Sequence, residues 1–181
     1  MRKFYICIIL FALTACGHAE KVDTPYKAEF DMYLSWVLTD FERDVLGDYK
    51  IEEHEFLEAK QRYLDCLEPH GITASVYPDG TGYVNYPIHI SEIDQMSKYS
   101  ALDTKCHSHT LSNIGTLYAE IRRNPENRDI QQGILDCAIQ KGLLEPGSTY
   151  TEDQADIDAI GGVSEYIDCV RDPFGLLQPY G

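Results

Sequence analysis

Apolar residues repeat at helical spacing through the segment that follows residue 26. Intervals of three or four residues place them on one face of a helix and leave charged residues on the other. The five apolar residues of this first face are Phe30, Leu34, Val37, Phe41 and Val45. After an interruption at Gly47 and Asp48, a second stripe begins near Ile51 and ends at Gly71. We therefore predict a pair of helices over residues 27–70.

Alternation of apolar and polar residues replaces the helical pattern between residues 72 and 90, which predicts a β-hairpin. We favour the register that pairs Val76 with Val84, because it turns the apolar residues of both strands to one face. Those core-facing residues are Ile72, Ala74, Val76, Val84, Tyr86 and Ile88. This register places Tyr77 opposite Tyr83 on the outer surface and leaves residues 78–82 as a five-residue loop. A two-residue turn at Asp79 and Gly80 would mix apolar with polar side chains, so we favour the longer loop.

Helical patterns return in the second half of the chain. We predict helical structure over residues 91–123, a further helix after the turn at residues 124–127, and a last helical stretch over residues 151–171. The residues expected to cap, break or end these helices are Ser108, Gly115, Asn127, Gly142, Thr151, Gly161 and Gly162. The expected fold class is α+β: a mostly helical single domain with one antiparallel β-hairpin and one core.

The N-terminus has the organisation of an export signal. Arg2 and Lys3 precede an uncharged apolar run over residues 4–13, which is too short to cross a bilayer. The run ends in Leu13-Thr14-Ala15-Cys16, which resembles the bacterial lipobox. That resemblance implies cleavage before Cys16, lipidation of this cysteine, and a protein held on the extracytoplasmic side of the cell membrane. The alternative is an ordinary secretory signal that happens to contain a cysteine.

The predicted organisation therefore has three parts. Residues 1–15 form the lipoprotein signal peptide, residues 16–26 the lipidated anchor and tether, and residues 27–181 the globular, mostly helical domain. The second part lacks periodicity and contains Pro25, which is typical of a connecting segment.

Composition limits the partners. The apolar fraction of 44% and the aromatic fraction of 11% lie in the globular range. Removal of Arg2 and Lys3 with the signal leaves 13 basic against 30 acidic residues, a net charge of about −17. A polyanion would be repelled by such a surface, so nucleic acid is excluded as a partner.

Four cysteines remain after Cys7 is assigned to the signal and Cys16 to lipidation: Cys66, Cys106, Cys137 and Cys169. An even number in an exported chain indicates disulfides. Four cysteines allow three pairings. We favour Cys66 with Cys106 and Cys137 with Cys169, since each bond then links helices that are close in the chain.

The mature domain resembles the small four-cysteine envelope lipoproteins of actinobacterial type, which have no assigned activity. Three features over about eighty residues carry this resemblance: Tyr63-x-x-Cys66-Leu67-x-x-x-Gly71, the hairpin, and Asn124-Pro125-x-Asn127 ahead of Cys137 and Gly142. The resemblance implies a role in the cell envelope and no catalysis.

Familiar catalytic motifs, among them Gly-x-Ser-x-Gly, His-Glu-x-x-His and Cys-x-x-Cys, do not occur in the sequence. The one local ligand cluster is Cys106-His107-Ser108-His109. A zinc site there would need ligands from elsewhere, such as His70 or His89, and would take Cys106 from its disulfide. We expect no cofactor and no metal.

Two functions remain open. The favoured one is a non-catalytic, membrane-anchored envelope lipoprotein that binds a protein or wall partner, as an exporter accessory or a self-protection factor. Its candidate binding residues are Tyr77 and Tyr83, because tyrosine gives a large contact area at little cost in rotamer entropy. The alternative is a hydrolytic or metal-dependent extracytoplasmic enzyme.

Overall fold

The computed structural model describes residues 23–88 and 95–177. The predicted signal peptide, the lipidation site Cys16, most of the tether and His89 lie outside these residues. Eight α-helices, one 3-10 turn and two strands occur in the described ranges. In chain order they are α1 (Lys27–Leu34), α2 (Asp40–Leu46), α3 (Glu53–Leu67), the 3-10 turn (Glu68–His70), β1 (Thr73–Val76), β2 (Gly82–Asn85), α4 (Met96–Ser108), α5 (Ser112–Arg123), α6 (Ile130–Gln140), α7 (Gln154–Ile160) and α8 (Ser164–Arg171). The prediction of a mostly helical α+β chain with one antiparallel hairpin is confirmed.

The first predicted helix is in fact two helices. Thr39 accepts a hydrogen bond from the backbone N–H of Glu42, and the Glu42 carboxylate accepts from the backbone N–H of Thr39, which is a capping box that starts α2. The prediction of one continuous apolar face was wrong because this cap redirects the chain at residues 35–39. Val37, expected in the core, is completely exposed as a result.

The carboxylate that caps α2 is almost completely buried. Its Oε2 accepts from the Thr39 backbone N–H and the Thr39 hydroxyl, both at 2.9 Å. Its Oε1 accepts from the Asn113 side-chain amide on α5 at 2.8 Å. Because both oxygens of Glu42 are satisfied, the buried carboxylate is tolerated and ties α2 to α5.

The hairpin is shifted by two residues from the predicted register. Ala74 pairs with Val84 and Val76 with Gly82. The Tyr77 N–H donates to the Thr81 carbonyl at 2.9 Å, so the loop contains only residues 78–80. Gly80 has a φ of 82°, and the Asp79 carboxylate accepts from the Thr81 N–H and hydroxyl at 2.9 and 2.6 Å. These contacts fix the three-residue loop, so the five-residue loop was wrong.

A shift of two residues keeps the faces of both strands. The partly buried residues that pack on the core include Ala74, Val76, Val84 and Tyr86, as predicted. Tyr83 lies opposite Ser75, so the expectation that Tyr77 faces Tyr83 directly was wrong. The two tyrosines still share the outer face, as diagonal neighbours.

Several helix ends in the second half differ from the predicted ones. A break does follow Ser108, but Gly115 is buried inside α5. The cap of α6 is Asp129, whose carboxylate accepts from the N–H groups of Gln131 and Gln132, in place of the predicted Asn127. The predicted cap at Thr151 is absent because α7 begins at Gln154 with Asp153 before it, and the break at Gly161 and Gly162 is confirmed.

Buried hydrophobic residues of the described ranges form two clusters, whereas the sequence predicted one core. The larger cluster surrounds α3 and includes Phe30, Leu46, Phe56, Leu67, Ile114 and Leu117. The smaller cluster joins α6 with the C-terminal helices and contains Leu135, Ala138, Leu144, Ile157 and Tyr166. Within residues 23–88 and 95–177, no helix has the length and apolarity needed to cross a bilayer.

One disulfide lies in the larger cluster, the other joins two helices that contribute to the smaller cluster, and the favoured pairing is confirmed. Cys66 on α3 bonds to Cys106 on α4, with 5.7 Å between their Cα atoms. Cys137 on α6 bonds to Cys169 on α8, with a Cα separation of 5.6 Å. Loops of 40 and 32 residues correspond to about 4 kcal/mol of stabilisation each in the chain-entropy model.

The small cluster should depend more strongly on its disulfide. We expect Cys137→Ser with Cys169→Ser to unfold α6–α8 locally, because the few buried side chains of that cluster cannot offset a loss of roughly 2–5 kcal/mol. Hydrogen exchange should then show lost amide protection over residues 130–171 and retained protection in α3 and α5. The matched variant, Cys66→Ser with Cys106→Ser, should lower the unfolding free energy of the larger cluster by a similar amount. Equal loss of protection throughout the chain in the first variant would contradict this assignment.

Candidate functional site

The candidate tyrosines of the hairpin are both on its surface. Tyr77 is 41% exposed and Tyr83 is 54% exposed. Tyr83 lines a cavity of about 340 Å³ between the hairpin and the helices. The exposure of both rings and the cavity beside Tyr83 make the hairpin the candidate binding site.

This cavity, called the hairpin cavity below, has one wall from the hairpin and one from α3 and α4. Its lining residues are Ser75, Val76, Gly80, Thr81, Gly82, Tyr83 and Val84 from the hairpin, with Tyr63, Asp103 and His107 from the helices. The side chains provide hydroxyl, carboxylate and imidazole groups beside an aromatic ring. Such a set suits a polar ligand or a polar side chain of a partner.

Asp103, in the helical wall of the cavity, is held by hydrogen bonds to both of its carboxylate oxygens. One carboxylate oxygen accepts from the Tyr63 hydroxyl at 2.6 Å, and the other accepts from the Tyr86 hydroxyl at 3.0 Å. Burial, and then the hydrogen bond to Asp103, raises the pKa of both phenols. Both tyrosines therefore remain protonated donors at neutral pH and hold the carboxylate in one orientation.

His107 lies one helical turn after Asp103. Its ring meets the Tyr63 ring edge-on, with 5.4 Å between the centroids, while its other side remains exposed. Partial burial lowers the pKa of His107, and the Asp103 carboxylate opposes that effect. The imidazole is therefore neutral at neutral pH, with one nitrogen able to donate and the other able to accept a hydrogen bond.

The zinc alternative at residues 106–109 loses its sulfur ligand, because Cys106 is in the disulfide with Cys66. The part of the chain that the structure describes contains no group of three or more His, Cys, Asp or Glu side chains placed to hold a metal ion. His70 and His107 belong to different surroundings, the first in the 3-10 turn and the second at the hairpin cavity.

A larger groove of about 680 Å³ runs between α6, α8 and the segment after α8. Its basic groups already have partners. Asp168 lies 3.9 Å from the Lys141 ammonium and 3.6 Å from the Arg171 guanidinium, and Arg128 stacks on the Phe174 ring at 3.8 Å. These are exposed pairs of a solvated surface. The hairpin cavity is the better candidate because its exposed aromatic ring lies beside oriented polar groups.

Tyr63 and Asp103 were not among the site residues predicted from the sequence, although a signal was present. Each lies three residues before a cysteine of the predicted Cys66–Cys106 pair, and residues three apart share a helical face. Once that disulfide is assumed, the same spacing on α3 and α4 places the phenol beside the carboxylate. Tyr86 then joins them because the hairpin packs on the same two helices.

Comparisons with known proteins give no relatives: no family model matches the chain, and no curated protein or solved structure matches it.

The bond between Tyr63 and Asp103 can be tested by a double-mutant cycle. We expect Asp103→Ala to lower the unfolding free energy by about 1–3 kcal/mol, because the buried Tyr63 hydroxyl loses its acceptor. In a Tyr63→Phe background the same substitution should cost clearly less. Urea unfolding monitored by circular dichroism gives all four values, and Asp103→Asn is the control that retains an acceptor. An equal cost of Asp103→Ala in both backgrounds would show that this hydrogen bond contributes nothing.

Proposed function

We propose that this protein is a non-catalytic bacterial envelope lipoprotein that is anchored by lipid on Cys16 and binds a protein or wall partner on the extracytoplasmic side. The observation that carries the proposal is that all four cysteines after Cys16 are paired in two disulfides. Disulfides form and persist in oxidising compartments outside the cytoplasm. They agree with the N-terminal segment, where an export signal ends in a lipobox-like cysteine.

The hairpin is the proposed partner-binding surface. Tyr77 and Tyr83 offer aromatic area on its outer face, and the hairpin cavity beside Tyr83 offers polar groups. Aromatic anchors next to a satisfied polar cluster are the usual composition of a contact region in protein interfaces. Two features hold this surface in place: the loop contacts at Asp79, and the bond from Tyr86 to Asp103.

Lipid anchoring is tested by removing the acceptor cysteine. Cys16→Ser should abolish lipidation, so that the protein is either released from membranes or retained as the uncleaved precursor. Membrane fractionation and metabolic labelling with a fatty-acid analogue in the producing bacterium measure both outcomes. Cys7→Ser is the matched control and should remain lipidated, since this residue lies within the predicted signal. A Cys16→Ser protein that is labelled and fractionates like the wild type would contradict the proposal.

Partner binding is tested at the hairpin. We expect the wild-type chain to bind purified wall sacculi or solubilised envelope proteins, and Tyr77→Ser with Tyr83→Ser to lose that binding. The unfolding free energy should fall by only about 1 kcal/mol, the size of a cross-strand aromatic contribution. Cosedimentation and cross-linking measure the binding.

The matched control for the tyrosine pair is Ile167→Ser with Val170→Ser, because these α8 side chains are exposed to a similar degree. This control should bind like the wild type. Undiminished binding by a folded tyrosine variant would remove the hairpin from the proposal. A large loss of stability would assign both rings to the fold.

A further inference from the structure

Residues 32–39 form an exposed apolar surface at the end of α1. Val37 is 102% exposed, and the one tryptophan of the sequence, Trp36, is 49% exposed. Met32, one helical turn before Trp36, is 45% exposed. We call Met32, Trp36 and Val37 the tip surface. Three large exposed apolar side chains within a stretch of six residues form an unusual surface for a globular domain.

The tip surface is held outward by the fold. The capping box of Thr39 and Glu42 starts a new helix and forces residues 35–38 into a loop. The neighbouring Tyr33, Leu34 and Leu38 pack on the core, so the loop is fixed on its inner side. Tyr33 also meets the indole of Trp36 edge-on, with 4.9 Å between the ring centroids. The outward position of Trp36 and Val37 therefore follows from specific contacts.

The tip surface also lacks charge. Residues 32–39 contain no Asp, Glu, Lys or Arg, although these make up 25% of the chain. Two carboxylates flank the segment: Asp40, which is exposed, and Asp31, which is ion-paired with Lys27 at 2.6 Å and accepts a hydrogen bond from Tyr49 at 2.7 Å. By comparison, Leu57 is as exposed as Trp36 but has Glu55 and Glu58 beside it in the chain. Residues 32–39 are thus an uncharged apolar segment between two carboxylates on an acidic protein.

We propose that the tip surface lies in the interfacial region of the lipid bilayer that carries the anchor. This inference rests on the proposed lipidation of Cys16. Tyr26 is ten residue steps after Cys16, which limits the separation of their Cα atoms to about 36 Å. From Lys27, helix α1 leads directly to the tip surface over a rise of about 1.5 Å per residue. The tip surface therefore lies within reach of the membrane that carries the anchor.

The chemistry of the tip surface fits this environment. Tryptophan and tyrosine are enriched at the membrane–water interface, where an apolar ring and its polar N–H or hydroxyl are both accommodated. The acidic remainder of the domain is repelled by anionic headgroups, whereas a neutral apolar surface can enter them. Attachment through the anchor makes this contact intramolecular, so a weak contact suffices.

The single tryptophan makes the proposal directly measurable. The full chain, isolated from a lipidating bacterium, would be reconstituted into phosphatidylcholine vesicles whose acyl chains carry bromine either near the headgroup or near the bilayer centre. Trp36 emission should shift to shorter wavelength on reconstitution. Bromine near the headgroup should quench it more than bromine at the centre. Flotation of the same vesicles shows independently whether the protein is anchored.

Two variants show whether the change in Trp36 emission depends on the tip surface. Met32→Ser with Val37→Ser retains Trp36, and its emission should return towards the value without vesicles while the protein still floats. Leu57→Ser is the matched control at an equally exposed position, and its emission and quenching should equal those of the wild type.

The outcomes separate the two proposals. Protein that floats with unshifted, unquenched Trp36 overturns the membrane contact and leaves the lipid anchor intact. Protein that does not float overturns the anchor, and the contact that rests on it as well. Cys16→Ser protein without vesicles tests for self-association. If its Trp36 emission also lies at shorter wavelength and its mass is that of a dimer, the proposal is overturned and the tip surface is assigned to contact with a second copy of the chain.

Discussion

The disulfide between Cys66 and Cys106 is the constraint on which most of the structure depends. It joins α3 to α4 inside the larger cluster, and Cys106 is itself buried there. Between these helices the chain forms the hairpin, so the same bond closes the loop that contains the hairpin and Asp103. The bond closes a loop of 40 residues in the unfolded chain as well as in the folded one. It therefore reduces the conformational entropy that the chain loses on folding.

The geometry at the candidate site follows from this bond. Tyr63 and Asp103 lie one helical turn before the two cysteines, and their hydrogen bond continues the contact between α3 and α4. Tyr86 adds the hairpin to that contact through the other oxygen of Asp103. The disulfide, the carboxylate and the two phenols thus form one connected unit. A change at Asp103 would act on the position of the hairpin as well as on the helices.

Much of the fold could be predicted from the sequence, because helical spacing and alternation report directly which face is buried. The disulfide pairing could also be predicted, since each bond joins neighbouring helices. The hairpin register could not be predicted from the faces, because a shift of two residues leaves every side chain on the same side. The observed register has a three-residue loop, which the Asp79 carboxylate stabilises through its bonds to Thr81.

The first predicted helix is a case in which apolar spacing led to the wrong element. Apolar spacing continued from Phe30 to Val45 and favoured one helix, but the local cap at Thr39 and Glu42 prevailed. Periodicity alone missed this break, although Thr39-x-x-Glu42 is a capping signal in its own right. The site was missed for another reason: Tyr63 and Asp103 are 40 residues apart, and only the assumed disulfide brings them together.

Both proposed contact surfaces are poor in charge on a strongly acidic chain. Residues 32–39 contain no charged side chain, and Asp79 is the one Asp, Glu, Lys or Arg in residues 72–88. A hairpin with one carboxylate and an uncharged tip surface would draw most of their binding free energy from apolar burial and hydrogen bonds, and little from charge complementarity. The acidic remainder then acts as the repelling part of the molecule. It disfavours contact between the other surfaces of the domain and anionic membrane or wall components. Contact is therefore left to the hairpin and the tip surface.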